Sequence, residues 1–384
     1  MSVISIIVPV IVSAVLTALM VPLIIRVSYK NNLFDTIDER TVHSGVVPRL
    51  GGSAFILSVI VAVIIGIFMA GADSTAVVND FLSKSNGVPS ASMQYCALIG
   101  AIMVIYFAGL WDDIRQIDYK KKFFCQLLSA LLIVLVGGFW INDFYGLFGL
   151  HHLSPVVGKV FSVLLIMYVT NAFNLIDGID GLASSLGVIT SCVIGVVSLV
   201  SGQFLMTVLS FALAASLAVF FCYNKLGSTK HHTKIFMGDG GSQTMGLIVA
   251  FLVVFVSMKS SDGDYNNLHL QSPVVPFCLI IIPCFDALRV MLCRMKKGKN
   301  PFLPDKTHIH HKLLRVGYSS TQTLMIILLL DILFVALNVL LSEVNINVDA
   351  CIKINLILVL DIIIWCGLNL WLDSYVRRVE AGKR

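Results

Sequence analysis

The chain alternates between long apolar runs and short polar stretches. Eleven apolar runs, at approximately 4–25, 52–70, 94–111, 123–140, 156–173, 184–201, 203–223, 242–258, 274–293, 322–341 and 352–372, approach the length of about 20 residues with which a helix crosses a bilayer. They predict an all-α, polytopic integral membrane protein of 11 transmembrane helices, folded as a single transmembrane domain over 1–384. The sixth and seventh runs are so close that they read as a tight helical hairpin. The polar stretches are not alike. Residues 71–93 carry Ser, Asn and Gly and no evident chemistry, whereas the acidic, basic and histidine-rich residues collect in 26–51, 112–122, 171–183, 224–241 and 294–321. With 11 spans these five segments all face the same side.

Composition supports the membrane reading. The chain is 57% hydrophobic and 13% charged, against roughly 25% charged in a soluble domain. Of its 27 Lys and Arg, 22 lie in those same-side loops and the segment 373–384. The positive-inside rule then puts the carboxyl terminus in the cytoplasm and the amino terminus outside. The net charge of +5 belongs to these loops and is no nucleic-acid signal. No basic region precedes the first run, so a cleavable signal peptide is not expected. The nine cysteines lack paired CxxC spacing and read as small apolar packers, with Cys351 near the outer face and without an evident partner.

The polar stretches carry the chemistry. In Asn171-Ala172-Phe173-Asn174-Leu175-Ile176-Asp177-Gly178-Ile179-Asp180-Gly181-Leu182, a helix would put Asn171, Asn174, Asp177 and Asp180 on one stripe. Asp112-Asp113 places adjacent carboxylates at a membrane boundary, where a donor or a hard divalent cation must separate them. Lys122 and Gln126, four apart, share a helix face. In Phe236-Met237-Gly238-Asp239-Gly240-Gly241-Ser242, glycines before a helix offer backbone N–H groups to a phosphate, and Asp239 can ligate its metal. In the loop that also carries Asp35, the basic side chains Arg40, His43 and Arg49 can hold phosphates as charge-assisted donors. Asp286 and Arg289 lie one turn apart, and Arg294 begins a basic stretch that ends in Lys306-Thr307-His308-Ile309-His310-His311. Those histidines suit acid–base work or a phosphate clamp, with zinc ranked lowest because no cysteine accompanies them. Asp331 and Asp361, near mid-membrane, are assigned to interhelical hydrogen bonds.

Acidic sites, histidines and basic residues on one membrane face suit a metal-assisted reaction between a phosphorylated soluble substrate and a lipid. A transporter or lipid flippase is the rival from another class; it predicts internal repeats and midplane polar clusters, and neither is evident.

Asp112-Asp113 with Lys122 and Gln126, the run Asn171–Leu182, the run Phe236–Ser242 and His308-Ile309-His310-His311 together resemble the polyprenyl-phosphate N-acetylhexosamine-1-phosphate transferases. The resemblance covers the chain from Asp35 through His311. It implies transfer of a sugar-1-phosphate from a UDP-amino sugar to undecaprenyl phosphate, with release of UMP. It also implies Mg²⁺ as cofactor, with Mn²⁺ as a substitute, and an inner (cytoplasmic) membrane location among membrane lipids, as a homodimer. By that resemblance Asp112, Asp113, His308, His310 and His311 are catalytic, and Asp113 and Asp239 hold the metal. Arg40, His43, Lys122, Asn171, Asn174, Asp177, Asp180, Gly238, Asp286, Arg294 and Lys306 bind substrate. The His-Ile-His-His motif and the preceding Pro-Phe-Leu-Pro-Asp are similar to the WecA/TagO branch, which implies UDP-GlcNAc over UDP-MurNAc-pentapeptide or a deoxy amino sugar. Lys306 stands where that branch more often has Arg; the lysine keeps the charge but loses the bidentate geometry.

Overall fold

The computed structural model describes residues 3–34, 47–70, 91–259, 274–300, 307–343 and 349–382. Arg40, His43 and Lys306 lie outside the described residues. In chain order the helices are α1 (Val3–Asn31), α2 (Gly52–Ala70), α3 (Ala91–Arg115), α4 (Tyr119–Leu131), α5 (Pro155–Ile176), α6 (Leu182–Val200), α7 (Phe204–Lys225), α8 (Gly238–Ser257), α9 (Val274–Cys278), α10 (Ile281–Lys296), α11 (Ile309–Val316), α12 (Ser320–Glu343) and α13 (Ala350–Gly382). Among the described residues nine helices are long and apolar enough to cross a membrane.

The two other expected spans are interrupted. The one at 123–140 is α4 followed by a π-turn, Leu132–Val136, and it stops at Gly137-Gly138. The one at 274–293 breaks at Leu279-Ile280, between α9 and α10, where Thr190 of α6 donates to the Leu279 carbonyl that the break exposes. A broken backbone inside a membrane persists where protein groups satisfy it. The expected α6–α7 hairpin forms, and Gly202 at φ +72° makes its turn.

Helix α8 is the centre of the bundle, with 94% of its apolar window buried. Such a helix is apolar all round because it meets protein on every side. Helix α1 is the opposite case: Ile7, Ile11, Val15, Leu19 and Leu23 recur at helical spacing on its exposed face, as lipid-facing residues do. Glycines let other helices reach the start of α8. A Cβ on Gly52 would lie 2.2 Å from Gly241 Cα, and one on Gly109 would lie 2.4 Å from Gly240 Cα. Side chains at these points would push α2 and α3 off the head of α8.

At the opposite end, Lys259 beyond α8 binds Asn142 and Asp143 of the segment before α5. The Cys351 thiol lies 3.5 Å from His151 Nε2, so it has a neighbour that its sequence position did not reveal. All nine cysteines are free. Asp361 makes the expected interhelical hydrogen bond, accepting from Asn338 Nδ2 at 3.0 Å across α12 and α13. Asp331 does not: it is fully buried and neither carboxylate oxygen has a partner among the described residues.

Candidate active site

The site forms where the ends of α3, α5 and α10 meet the starts of α4, α8 and α11. Helix α3 runs through Asp112 and Asp113, so the helical turn separates two carboxylates that adjoin in sequence. Asp113 accepts the backbone N–H of Asp239 at 2.7 Å and of Gly240 at 2.9 Å. It therefore caps the first turn of α8 through both carboxylate oxygens. This corrects one expectation: those two N–H groups receive the protein's own carboxylate, not a substrate phosphate. Gly238, at φ +72°, lies tight against this cap, since a Cβ there would meet Arg49 O at 2.2 Å and Asp113 Oδ2 at 2.6 Å.

Asp112 is buried. Its Oδ1 accepts the Ile117 N–H at 2.7 Å, and its Oδ2 meets the Lys122 ammonium. Lys122 Nζ also lies 2.7 Å from Asp239 Oδ2. The other oxygen of Asp239 accepts from Asn174 Nδ2 at 2.9 Å, and the same amide group donates to Ser242 at 2.8 Å. One turn inward, Gln126 exchanges hydrogen bonds with Asn171 and donates to Gln243, which links α4, α5 and α8. The expected shared faces of Lys122 with Gln126 and of Asn171 with Asn174 thus hold.

The stripe does not continue to Asp177 and Asp180. Helix α5 ends at Ile176; Asp177 is its cap at ψ 50°, and Asp180 lies in the turn to α6, whose Gly181 sits at φ +85°. Glycine in that left-handed conformation turns the chain into α6. Asp177 is half-buried, and burial together with the charges of Asp180 and Asp239 pushes its carboxyl up to about 7. Asp180 is ion-paired with Lys234 at 2.6 Å.

The histidine motif joins this patch through a glycine. A Cβ on Gly178 would lie 2.1 Å from His310 Nε2, so the ring rests directly on the Gly178 backbone. His310 is buried with neither ring nitrogen paired among the described residues, and burial and the neighbouring His311 and His308 hold it neutral, down to about 3. His308 Nδ1 is 2.7 Å from Asp286 Oδ2, and Asp286 Oδ1 receives Arg289 at 2.7 Å and the Ile309 N–H at 3.1 Å. Asp286, fully buried, is thus an organiser of the motif, and Arg289, one turn on, neutralises its charge. His311 stacks obliquely on His310, with ring centroids 4.2 Å apart. Arg294 is buried and donates through Nε to the Asn300 carbonyl, which ties it to the chain leaving α10.

A hard cation fits this donor set in one place. Asp112 Oδ2 and Asp239 Oδ2 already close on a single positive group, the Lys122 ammonium. Two carboxylates with substrate phosphates completing the shell are the usual Mg²⁺ arrangement. Among the described residues no three His, Cys, Asp or Glu side chains form a closed metal cage. The converging pair is Asp112–Asp239, whereas both oxygens of Asp113 in the expected Asp113–Asp239 pair already face α8. The sequence alone gave no site role to Asn224, Lys234, Ser242 or Gln243, which bind site loops or site side chains. Asn224 and Lys234 sit in the same polar stretch as Asp239, the one signal that could have flagged them.

Residues 95–257 match the family model described as glycosyl transferase family 4. A probable undecaprenyl-phosphate N-acetylglucosaminyl 1-phosphate transferase of Bacillus subtilis (strain 168) is 31% identical over 94% of this chain and 91% of its own length. An undecaprenyl-phosphate alpha-N-acetylglucosaminyl 1-phosphate transferase of Escherichia coli (strain K12) is 30% identical over 82% of this chain and 78% of its own. A decaprenyl-phosphate N-acetylglucosaminephosphotransferase of Mycobacterium leprae (strain TN) is 33% identical over 76% and 72%. Four motifs brought onto one patch and relatives matched along most of their length agree, and the chain belongs to glycosyl transferase family 4, among the polyprenyl-phosphate N-acetylhexosamine-1-phosphate transferases.

Proposed function

We propose that this protein transfers GlcNAc-1-phosphate from UDP-GlcNAc to undecaprenyl phosphate, releasing UMP and starting a lipid-linked cell-surface polysaccharide. The observation that carries this reading is the meeting of motifs from residue 112 to residue 311 in one patch rich in carboxylates, histidines and lysine. The names of the relatives supply the transferred group and the lipid acceptor, and the UDP-linked donor is what the motif resemblance implies.

The reaction we infer is one in-line displacement. An oxygen of the lipid phosphate attacks the sugar-linked phosphorus, and the bond to the bridging oxygen breaks as UMP leaves. The lipid phosphate is anionic near neutral pH, so positioning and charge neutralisation outweigh base catalysis. Asp112, with one oxygen on Ile117 N–H and the other on Lys122, orients that lysine rather than taking a proton. Lys122 neutralises phosphate oxygens as they approach the carboxylates. Asn174 fixes the rotamer of Asp239. His308, oriented by Asp286, and His310 and His311 border the pyrophosphate. Asp112 and Asp239 would hold Mg²⁺, which when bound neutralises phosphate charge and polarises the phosphorus.

The topology we infer has 11 crossings, counting the interrupted segments 123–140 and 274–293. The amino terminus is outside and the site faces the cytoplasm across the inner membrane. The concentration of 22 of 27 Lys and Arg on the site face supports this. Dimer formation within the bilayer remains part of the proposal.

The test is UMP release by the purified protein in detergent with undecaprenyl phosphate and Mg²⁺, supplying UDP-GlcNAc and UDP-MurNAc-pentapeptide separately. Release with UDP-GlcNAc alone, dependent on both lipid and metal, supports the reading. Release with the pentapeptide donor, or with neither, overturns it. Net retention of configuration at phosphorus would replace the single displacement by a covalent intermediate.

A further inference from the structure

Two loops that carry the site's acidic residues are joined by one amide side chain. Asn224, in the last turn of α7, is 5% exposed. Its Oδ1 accepts the Gly181 N–H at 2.6 Å, in the turn that holds Asp177 and Asp180. Its Nδ2 donates to the Ile235 carbonyl at 2.9 Å, in the strand of chain that leads to Gly238 and Asp239. An amide offers a donor and an acceptor from one planar group, and here each end takes a different loop. Neither loop is held to the other by regular secondary structure at these points. The Lys234–Asp180 ion pair is a second tie between the same loops, but it joins side chain to side chain, whereas Asn224 binds backbone at both ends.

We infer that Asn224 is a positioning residue for the reaction: it sets the separation between the Asp177 turn and the Asp239 helix start, and so the fit of the nucleotide-sugar donor between them. This rests on the proposed donor transfer. A buried amide that loses one partner leaves a backbone group unsatisfied and lets the loop move. Displacements of about 1 Å at such a site cost on the order of 100-fold in rate.

The experiment compares wild type, Asn224→Ala and Asn224→Asp. Asn224→Ala is expected to raise the KM for UDP-GlcNAc at least fivefold and lower kcat at least tenfold, with the KM for undecaprenyl phosphate within twofold. A loss of folded fraction lowers apparent kcat alone, so two unchanged KM values overturn the inference. Asn224→Asp keeps the acceptor for Gly181 but, when ionised, sets an oxygen anion against the Ile235 carbonyl. The donor KM defect should persist at pH 8 and shrink towards pH 6, where a protonated acid again donates. A wild-type KM at pH 8 would show that only the Gly181 end matters and overturn the two-loop link. Hydrogen exchange needs no substrate and separates this inference from the donor assignment. In Asn224→Ala, exchange should rise in peptides covering both 176–182 and 234–239 and stay unchanged in the middle of α8. A rise in only one of the two peptides overturns the link, even if the wild type proves to use another donor.

Discussion

The Lys122 ammonium lies 2.7 Å from Asp239 Oδ2 and also touches Asp112, so a single side-chain cation holds the end of α3 against the head of α8. Lys122→Met leaves two carboxylates facing each other. Its cost is about 1–3 kcal/mol, below the 3–5 kcal/mol of a fully buried pair because the lysine is a quarter exposed. Thermal unfolding in detergent should then become more sensitive to added Mg²⁺ than in the wild type, since the metal no longer competes with the ammonium. A variant whose melting temperature responds to Mg²⁺ no more than the wild type's would remove Asp112 and Asp239 as the metal pair.

Asp113 and Asp239 separate in kind. Asp113→Asn weakens a helix cap that uses both carboxylate oxygens, at about 1–2 kcal/mol of stability. Asp239→Asn leaves that cap in place and should abolish UMP release with less than half of that stability loss. Equal stability loss in the two variants would contradict the division between a capping and a chemical carboxylate.

Gly178→Ala tests the contact between the histidine motif and the α5–α6 turn. A methyl group there would come within 2.1 Å of His310 Nε2, and relieving the overlap costs about 1–3 kcal/mol. Activity should drop more than tenfold. The double variant Gly178→Ala, His310→Ala should recover stability relative to Gly178→Ala alone. Additive stability losses would mean the two motifs do not touch.

Asp177 gives the pH profile a predicted sign. Its folded pKa, about 7, is raised above the ordinary carboxylate value by burial and by the charges of Asp180 and Asp239. Its contribution to stability is therefore fully present below the ordinary Asp value and is lost as pH rises through about 7. If the ionised form serves the donor site, kcat/KM for UDP-GlcNAc should fall on the acid side with an apparent pKa near that value. Asp180→Asn removes one of the charges, so the acidic limb should move to lower pH. A limb that stays in place, or moves up, would detach it from Asp177.

His310 runs the other way. Burial and its histidine neighbours hold it neutral, with a pKa of about 3. The unfolded chain binds its proton first, so stability is lost as pH falls from about 6.5 towards 3. His310→Gln should flatten that acid loss in thermal unfolding; an unchanged slope would show that other groups carry it.

Much of this was legible along the chain. The four motifs were readable because ionisable residues at the ends of apolar runs are costly, and the chain keeps them where they are used. The spacing of Lys122 and Gln126 placed both on one face of α4, as found. Spacing failed at Asp177, because the helix ends at Ile176 and the chain turns through Gly178 and Gly181 into α6 before the three-residue rhythm can continue. It also failed at the interrupted spans, where a run of apolar residues looks the same whether the helix inside it is whole or broken.

The class of fold and most of the ionisable residues that meet in the candidate site could be read along the chain, because burial cost and helical period are local properties. Which carboxylate meets which donor follows from the packing of the helices. That Asp113 takes the amides of α8, that Asp112 shares Lys122 with Asp239, and that Asn224 ties Gly181 to Ile235 all depend on how closely helices far apart in sequence approach. That approach is set by glycines at Gly52, Gly109 and Gly178 and by the side chains packed around them. No period along the chain encodes it, because the interaction is between surfaces and falls off within a few ångströms of contact.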